Sequence, residues 1–413
     1  MIGAADFREI VRTLQTEYAG AEELKEPEAG RVFAAVIGML EEMHLLEDDM
    51  FCGLIRVYLT VQGAHKVRFT AGGGHSCGFT ARGIGESLYV ESVGREDRVR
   101  PGDRILTMNG DSPADYRAKL SQRTAPLPIS ERDSWDAFLN YANQIEILHA
   151  DGTKEALRLR KFPAEEQTPV RELRRLSDGA LYARLDRVDD SEETADFLRQ
   201  YREQAAEART VVLDLRHQRG EGLTGYRAFV ETVIPEPMSA AEFWGRKDLW
   251  TRYSETNTDR LIEGLQRMRT DADGELTAYL DEMLAELREE RGRGFVPEPE
   301  EDPEEDDYIP GPRPERVILL LDTQTADDAE WFAARAARFD RVTTIGRETS
   351  GDYCYDYPVV LRFFRGVELS YPIAKSAAMR QAGECRGVKP MTEIPWTPEE
   401  LLRDELPEQA LRL

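Results

Sequence analysis

The chain has 413 residues, 41% of them hydrophobic, with 79 acidic and 54 basic side chains and a formal net charge of −25. That length exceeds one ordinary core, so two or three domains are expected, and the composition is globular rather than disordered. The acidic balance repels phosphate backbones and anionic lipid, and no window approaches the roughly 18 consecutive apolar residues of a membrane span. Neither nucleic acid nor a membrane is an expected partner.

The first ten residues, Met1 to Ile10, are charged and amphipathic, unlike a secretory signal. Cys52, Cys77, Cys354 and Cys385 show no paired spacing, so four reduced thiols and a cytoplasmic location are expected. Cys52, His65, His75 and Cys77 match no standard zinc spacing, and no metal or cofactor is expected. Phe7, Ile10, Val11 and Leu14 recur at helical intervals, as do Val32, Phe33, Val36, Ile37, Leu40 and Met43 after Pro27. Two amphipathic helices followed by a mixed apolar segment, Phe51 to Phe69, make residues 1–70 an N-terminal helical segment.

From about Cys77 the pattern changes to short strands and turns. Gly78-Phe79-Thr80 leads into the alternating run Ser87 to Val93, and Val99 to Gly110 carries a Pro-Gly-Asp turn, an apolar strand and an Asn-Gly turn. Ile145 to His149 and Leu157 to Arg160, joined across Asp151-Gly152, supply a closing hairpin. The segment 75–163 resembles a PDZ domain. The resemblance implies capture of a peptide as an added strand, with Gly78 and Phe79 at the peptide's end. The long stretch between Tyr116 and Phe138 is placed to cover that groove.

The third region, 168–413, alternates strands and helices. Ala180 to Leu185, Thr210 to Arg216, Arg316 to Asp322 and Arg341 to Gly346 read as strands; Ser191 to Ala208 and Ala326 to Arg338 read as helices. The near-continuous apolar strands predict an α/β core with a largely parallel sheet covered on both faces. An insertion, 245–310, interrupts it. Apolar stripes on Leu261, Ile262, Leu265 and Met268 and on Leu276, Leu280, Met283, Leu284 and Leu287 predict a helical hairpin broken near Gly274, followed by an acidic loop from Pro297 to Asp307. Thr397 and Glu400 have capping-box spacing, with Pro398 in the first turn.

Ordered signals in this third region resemble the tail-specific, or C-terminal-processing, serine peptidases. They are Val211-Val-Leu-Asp-Leu-Arg216, the strand-to-helix turn from Leu319 to Phe332, Ile345-Gly-Arg-Glu-Thr-Ser-Gly351, and Gly387-Val-Lys-Pro390 before Ile394-Pro395. The resemblance implies a ClpP/crotonase-like α/β peptidase core beside the PDZ-like β domain and the helical segment. It also implies peptides or unfolded-protein C-termini as partners, and self-association into a homo-oligomer. The family's nucleophilic Ser maps to Asp327, three residues before Glu330, and the Lys of its Ser–Lys arrangement maps to Asp352, which excludes that dyad. In the branch resembling the tricorn protease core, the catalytic His and Glu map to His65 and Glu384, and a Ser before the His maps to Ala64. Oxyanion donors map to Gly220 and Asp328. The expected Asn-x-Gly-Gly reads Gln218-Arg219-Gly220-Glu221, and the Asp after Gly-Val-x-Pro is Met391.

An ionised carboxylate at the attack position puts negative charge beside a site meant to stabilise an oxyanion. Thr325 and Ser350 lie out of register with the nucleophile turn. Arg252, in Leu249-Trp-Thr-Arg-Tyr-Ser-Glu255, is expected to anchor the insertion through a salt bridge. Three readings follow: a catalytically impaired homologue that binds peptides, an active hydrolase with rearranged chemistry, and a non-catalytic structural or assembly protein.

Overall fold

The computed structural model describes residues 2–26, 28–71, 75–121, 129–163, 168–218, 223–245, 248–270, 273–298, 307–311, 314–377 and 386–413. Two compact units share the chain: Met1–Ala164, Asp248–Pro299 and Cys354–Glu384 make the first, and Glu165–Lys247, Glu300–Tyr353 and Cys385–Leu413 the second.

In the first unit, the opening periodicities form Ala4–Thr16 and Ala29–Glu42, and the mixed apolar segment resolves into a third helix, Asp48–Gln62, ending at Gly63. Phe7, Phe33 and Tyr58 meet between them, the Phe7 and Tyr58 rings 5.1 Å apart edge to face. A five-stranded antiparallel sheet follows in the order Phe79–Ile84, Ser87–Val93, Arg104–Met108, Gln144–Leu148, Lys154–Arg158. The Asn-Gly turn has both residues at positive φ, and the Asn109 carboxamide oxygen accepts from the Asn143 and Gln144 amides (2.8 and 3.1 Å). One side chain thereby fixes the register of two strands distant in sequence.

A second antiparallel sheet of this unit pairs Glu368–Ser376 with Arg68–Thr70, Tyr355–Arg362 and Leu249–Tyr253, and Leu249–Tyr253 with Gly294–Pro297. Between those last two strands the predicted hairpin stands as Glu255–Thr270 and Gly274–Glu290, tied by Arg269 to Asp281. Arg252 anchors it differently from the expected salt bridge: its guanidinium lies over the Phe295 ring of the partner strand, 5.4 Å from the centre.

The second unit holds a six-stranded sheet in the order Thr392–Glu393, Val342–Gly346, Arg316–Leu321, Thr210–Asp214, Leu181–Leu185, Arg171–Arg175; only the last pairing is antiparallel. Alternation explains the unbroken apolar strands. Val211, Leu213, Val317, Leu319 and Leu321 pack with Phe197, Phe229 and Phe332 on one face, while Val212, Ile318, Leu320 and Ile345 pack with Tyr182, Leu406 and Ala410 on the other. The Thr397–Glu400 capping box forms, on a short 3₁₀ turn, Pro398–Leu401.

The expectation of four reduced thiols does not hold. Cys52 and Cys77 are free and buried, but Cys354 is in a disulfide. Spacing along the chain cannot reveal a bridge that folding alone brings together. Among the described residues no helix is long and apolar enough to cross a membrane.

Candidate active site

The turn after Arg316–Leu321 is built by its own polar groups. Asp322 Oδ1 accepts from the Gln324 and Thr325 amides (2.8 and 3.2 Å). The Thr325 hydroxyl donates to Leu215 O (2.9 Å) and accepts from the Asp322 amide (3.0 Å), and the Ala326 amide donates to Gln218 O (3.1 Å). These bonds bring the chain to Asp327, which is buried (2% exposed) at φ 58°, ψ −128°, immediately before the helix Asp328–Ala336. A non-glycine residue there is strained, by about 1–3 kcal/mol. Strand-to-helix turns of this strained kind present nucleophiles in hydrolases. The positive end of the helix dipole favours a carboxylate at this place.

Tyr226 lies near both carboxylates of the turn. Burial, reinforced by Asp328 and Asp327, holds its phenol far above the usual tyrosine range. Its hydroxyl donates to Gln218 Oε1 (3.3 Å), and Gln218 Nε2 in turn donates to Leu185 O (2.7 Å). The residue in the expected Asn position is thus a fully buried brace.

One turn into the helix, Glu330 is wholly buried and collects four donors. They are the Thr349 hydroxyl, the Ser350 hydroxyl (3.0 Å), the Gly351 amide (2.6 Å) and the Tyr353 amide (3.1 Å). Burial nevertheless pushes its carboxyl up to about 7. The Thr349 hydroxyl also accepts from the Val388 amide (2.7 Å), and a Cβ on Gly387 would lie 2.0 Å from Thr349 O. Gly346, at φ 127°, passes so close to Leu321 that a Cβ would stand 2.1 Å from its carbonyl oxygen. The Gly-x-x-Thr-x-Gly and Gly-Val-Lys-Pro segments are therefore parts of one clamp around Glu330. The Asp-Leu-Arg segment has a similar role. Asp214 accepts from the Tyr182 hydroxyl (2.7 Å) and from Arg216 Nε and Nη2 (2.9 and 2.6 Å), and Arg216 reaches on to Asp404. Burial alone would raise the Asp214 carboxyl, but the Arg216 charge and these bonds hold it below its ordinary value.

His65 belongs to the first unit. Its ring stacks on Tyr355, centres 5.7 Å apart and planes 14° from parallel, and its carbonyl accepts from the Tyr18 hydroxyl (3.1 Å). Tyr18 stacks on the same Tyr355 ring, whose hydroxyl donates to Glu23 Oε2 (2.7 Å). Lys375, almost fully buried, donates to the other Glu23 oxygen (3.0 Å). An aromatic stack and a buried ion pair therefore fix the imidazole.

Of the residues singled out by sequence, Asp327 and Asp328 stand on the strained turn and His65 on the aromatic stack, whereas Glu384 and Gly220 lie outside the described residues, as does Glu221. Gly78 donates its amide to Ser76 Oγ (3.1 Å) and packs against Glu96 and Phe162, and Phe79 is buried at the start of an edge strand. Neither Thr325 nor Ser350 has a spare hydroxyl role: the first closes the turn, and the second donates to Glu330 and accepts from the Asp352 amide (3.1 Å). Sequence reasoning used Glu330 only as a marker of position. The signal for its role was a carboxylate among Ala329, Phe332 and Ala333 on the buried side of a helix. The Glu23–Lys375 pair gave no local signal, because its partners are 352 residues apart.

No family model and no curated protein sequence matches the chain. Solved structures do. Mature CPAF is similar at a TM-score of 0.57 and 14% identity, covering 98% of this chain and 95% of its own. Mature CPAF complexed with lactacystin is similar at 0.56 and 13%, with 99% and 96% covered, and a serine-to-alanine CPAF mutant at 0.55 and 12%, with 96% and 93% covered. The chain has the mixed α/β fold of CPAF along nearly its whole length.

Proposed function

We propose that the chain is a homologue of the serine-type C-terminal-processing peptidases in which bond cleavage is silenced while peptide binding persists. The observation that carries this reading is Asp327 itself: a buried carboxylate at φ 58° on the strand-to-helix turn where the resemblance puts a serine. Strained backbone of this kind clusters at active sites, which supports a turn shaped to present a nucleophile. The clamp on Glu330 is intact, so the loss is confined to chemistry and not to the scaffold.

A serine hydroxyl becomes a nucleophile by giving its proton to a base, and a neighbouring oxyanion site then stabilises the charge that develops. An aspartate side chain has no alcohol oxygen to carry the acyl ester that a serine forms. Thr325 and Ser350, the hydroxyls nearest the turn in sequence, are committed elsewhere. The domain order read from sequence, a helical segment, a PDZ-like module and an interrupted α/β core, supports peptide or unfolded C-terminal segments as ligands, with Gly78 and Phe79 at the capture loop. The Cys354 disulfide fits an oxidising compartment better than the cytosol.

The test is turnover of an unfolded protein by the purified chain, beside binding of extended peptides followed by fluorescence anisotropy. The proposal expects binding that weakens in Phe79→Ala and no fragments above a no-enzyme control. Fragmentation that disappears in His65→Ala overturns it in favour of an active hydrolase. Absence of both binding and cleavage favours an assembly role.

A further inference from the structure

Among the described residues the edge strand Phe79–Ile84 pairs on one side, with Ser87–Val93, and ends its sheet. An edge strand ordinarily leaves a row of backbone groups and alternate side chains in water. Here Phe79, Ala81, Arg82, Gly83 and Ile84 are all buried. The covering comes in part from the chain's own insertion. A Cβ placed on Gly83 would lie 2.5 Å from Ile129 Cγ2 and 2.7 Å from Ser130 O, so the backbone at 129–130 rests directly on the strand.

The segment is held by a short set of contacts. Arg117, on the helix Pro113–Leu120, pairs with Asp133, and its guanidinium lies 5.9 Å from the ring centres of both Trp135 and Phe138. Asp133 Oδ2 also accepts from the Ser130 amide (2.9 Å), and the Asp133 amide donates to Ser130 O (3.1 Å), which closes a tight turn. Trp135 is buried and pins the far end. Residues 129–133 belong to no strand of this sheet, so among the described residues they are a cover and not an added strand.

We infer that residues 129–133 are an intramolecular cap, latched by the Arg117–Asp133 pair, which must lift from Gly83 before an extended peptide can add to Phe79–Ile84. The inference rests on the peptide-binding reading above and supplies its regulation. Strand addition draws affinity from backbone bonds along a free edge. A capped edge offers them only in the fraction of molecules whose cap is open, and apparent affinity falls by that fraction.

Three variants test it. Gly83→Ala inserts a methyl group within 2.7 Å of both Ile129 Cγ2 and Ser130 O; Arg117→Ala and Asp133→Asn cut the latch from either side. Amide hydrogen exchange of Phe79–Ile84 in the full chain reads the cap without any peptide. Anisotropy of a fluorescent, extended peptide with an apolar C-terminus reads access. The expected result is faster exchange across the edge strand in all three variants, and peptide binding tighter than wild type by about tenfold or more, as for a minor open state of 10% or less. If Gly83→Ala misfolds, the two latch variants carry the test, since each removes one partner of the pair and leaves the strand itself unaltered. Unchanged exchange in both latch variants overturns the cap. Faster exchange with no peptide bound by any variant leaves the cap standing and refutes the peptide-binding reading.

Discussion

In the six-stranded sheet, glycines and charged side chains converge on one turn; in the five-stranded sheet they converge on one edge. Around Asp327, the residues Glu330, Thr349, Gly351 and Gly387 are bonded or packed as a unit, and a carboxyl group stands at the centre of the turn. Along Phe79–Ile84 the strand itself is regular, and the chain's own insertion rests on it. Under the proposed readings the two regions differ accordingly: a substituted side chain at one place, a covering segment at the other. Residues that hold a fold outlast the reaction it once served, because their removal costs stability whether or not a bond is cleaved.

The comparison breaks most visibly at Glu330. Glu330→Ala leaves four donors unsatisfied, two of them in buried bonds, at about 1–3 kcal/mol each where buried, so a loss of about 4 kcal/mol or more is expected from urea unfolding. Arg117→Ala removes one partner of a largely buried pair and is expected to cost less, about 1–3 kcal/mol, by the same measurement. Equal costs would show that the turn is no better built than the cap.

The pH dependence sharpens the first half of that comparison. Glu330 is raised in the folded state from an ordinary 4.5 to about 7. The native chain therefore holds a proton that the unfolded chain releases between those values, and stability contributed by this group falls as pH rises from about 4.5 to about 7. The full change is about 3 kcal/mol, at 1.36 kcal/mol for each pH unit. Glu330→Gln should remove this slope in unfolding curves collected across that window; a slope that survives assigns it to other groups.

Smaller effects are expected at the close approaches. Gly387→Ala drives a methyl into Thr349 O and should lower stability by about 1–3 kcal/mol. Asp327→Gly should raise stability by about 1 kcal/mol, since glycine adopts positive φ without the strain. A loss of stability there would mean that the carboxylate, not the inherited turn, is what the fold needs. The smallest change is expected from Asp327→Ser. It should gain no hydrolysis of unfolded protein, because Ala64 and Glu221 depart from the family pattern as well.

Much of this was legible in the sequence. Continuous apolar strands announced a sheet covered on both faces, the stripes either side of Gly274 announced the helical hairpin, and the Asn-Gly turn announced the five-stranded sheet. The antiparallel pair Tyr355–Arg362 and Glu368–Ser376 was not anticipated. It joins Arg68–Thr70 and Leu249–Tyr253, strands so distant in sequence that no local pattern pairs them. The site was legible as a set of positions and not as a set of bonds. Asp327 could be aligned, but its torsion angles follow from Thr325, Gln218 and Leu215, which act through backbone and hydroxyl contacts that residue type alone does not reveal. The Cys354 disulfide was hidden for the same reason.

The account turns on the claim that residue 327 cannot act as an activated serine would. Intact-mass measurement of the wild-type chain after incubation with a fluorophosphonate tests it most directly. The expected spectrum shows the unmodified mass alone. A stoichiometric adduct that is absent from His65→Ala would contradict it, since only a hydroxyl activated by that imidazole would form such an ester.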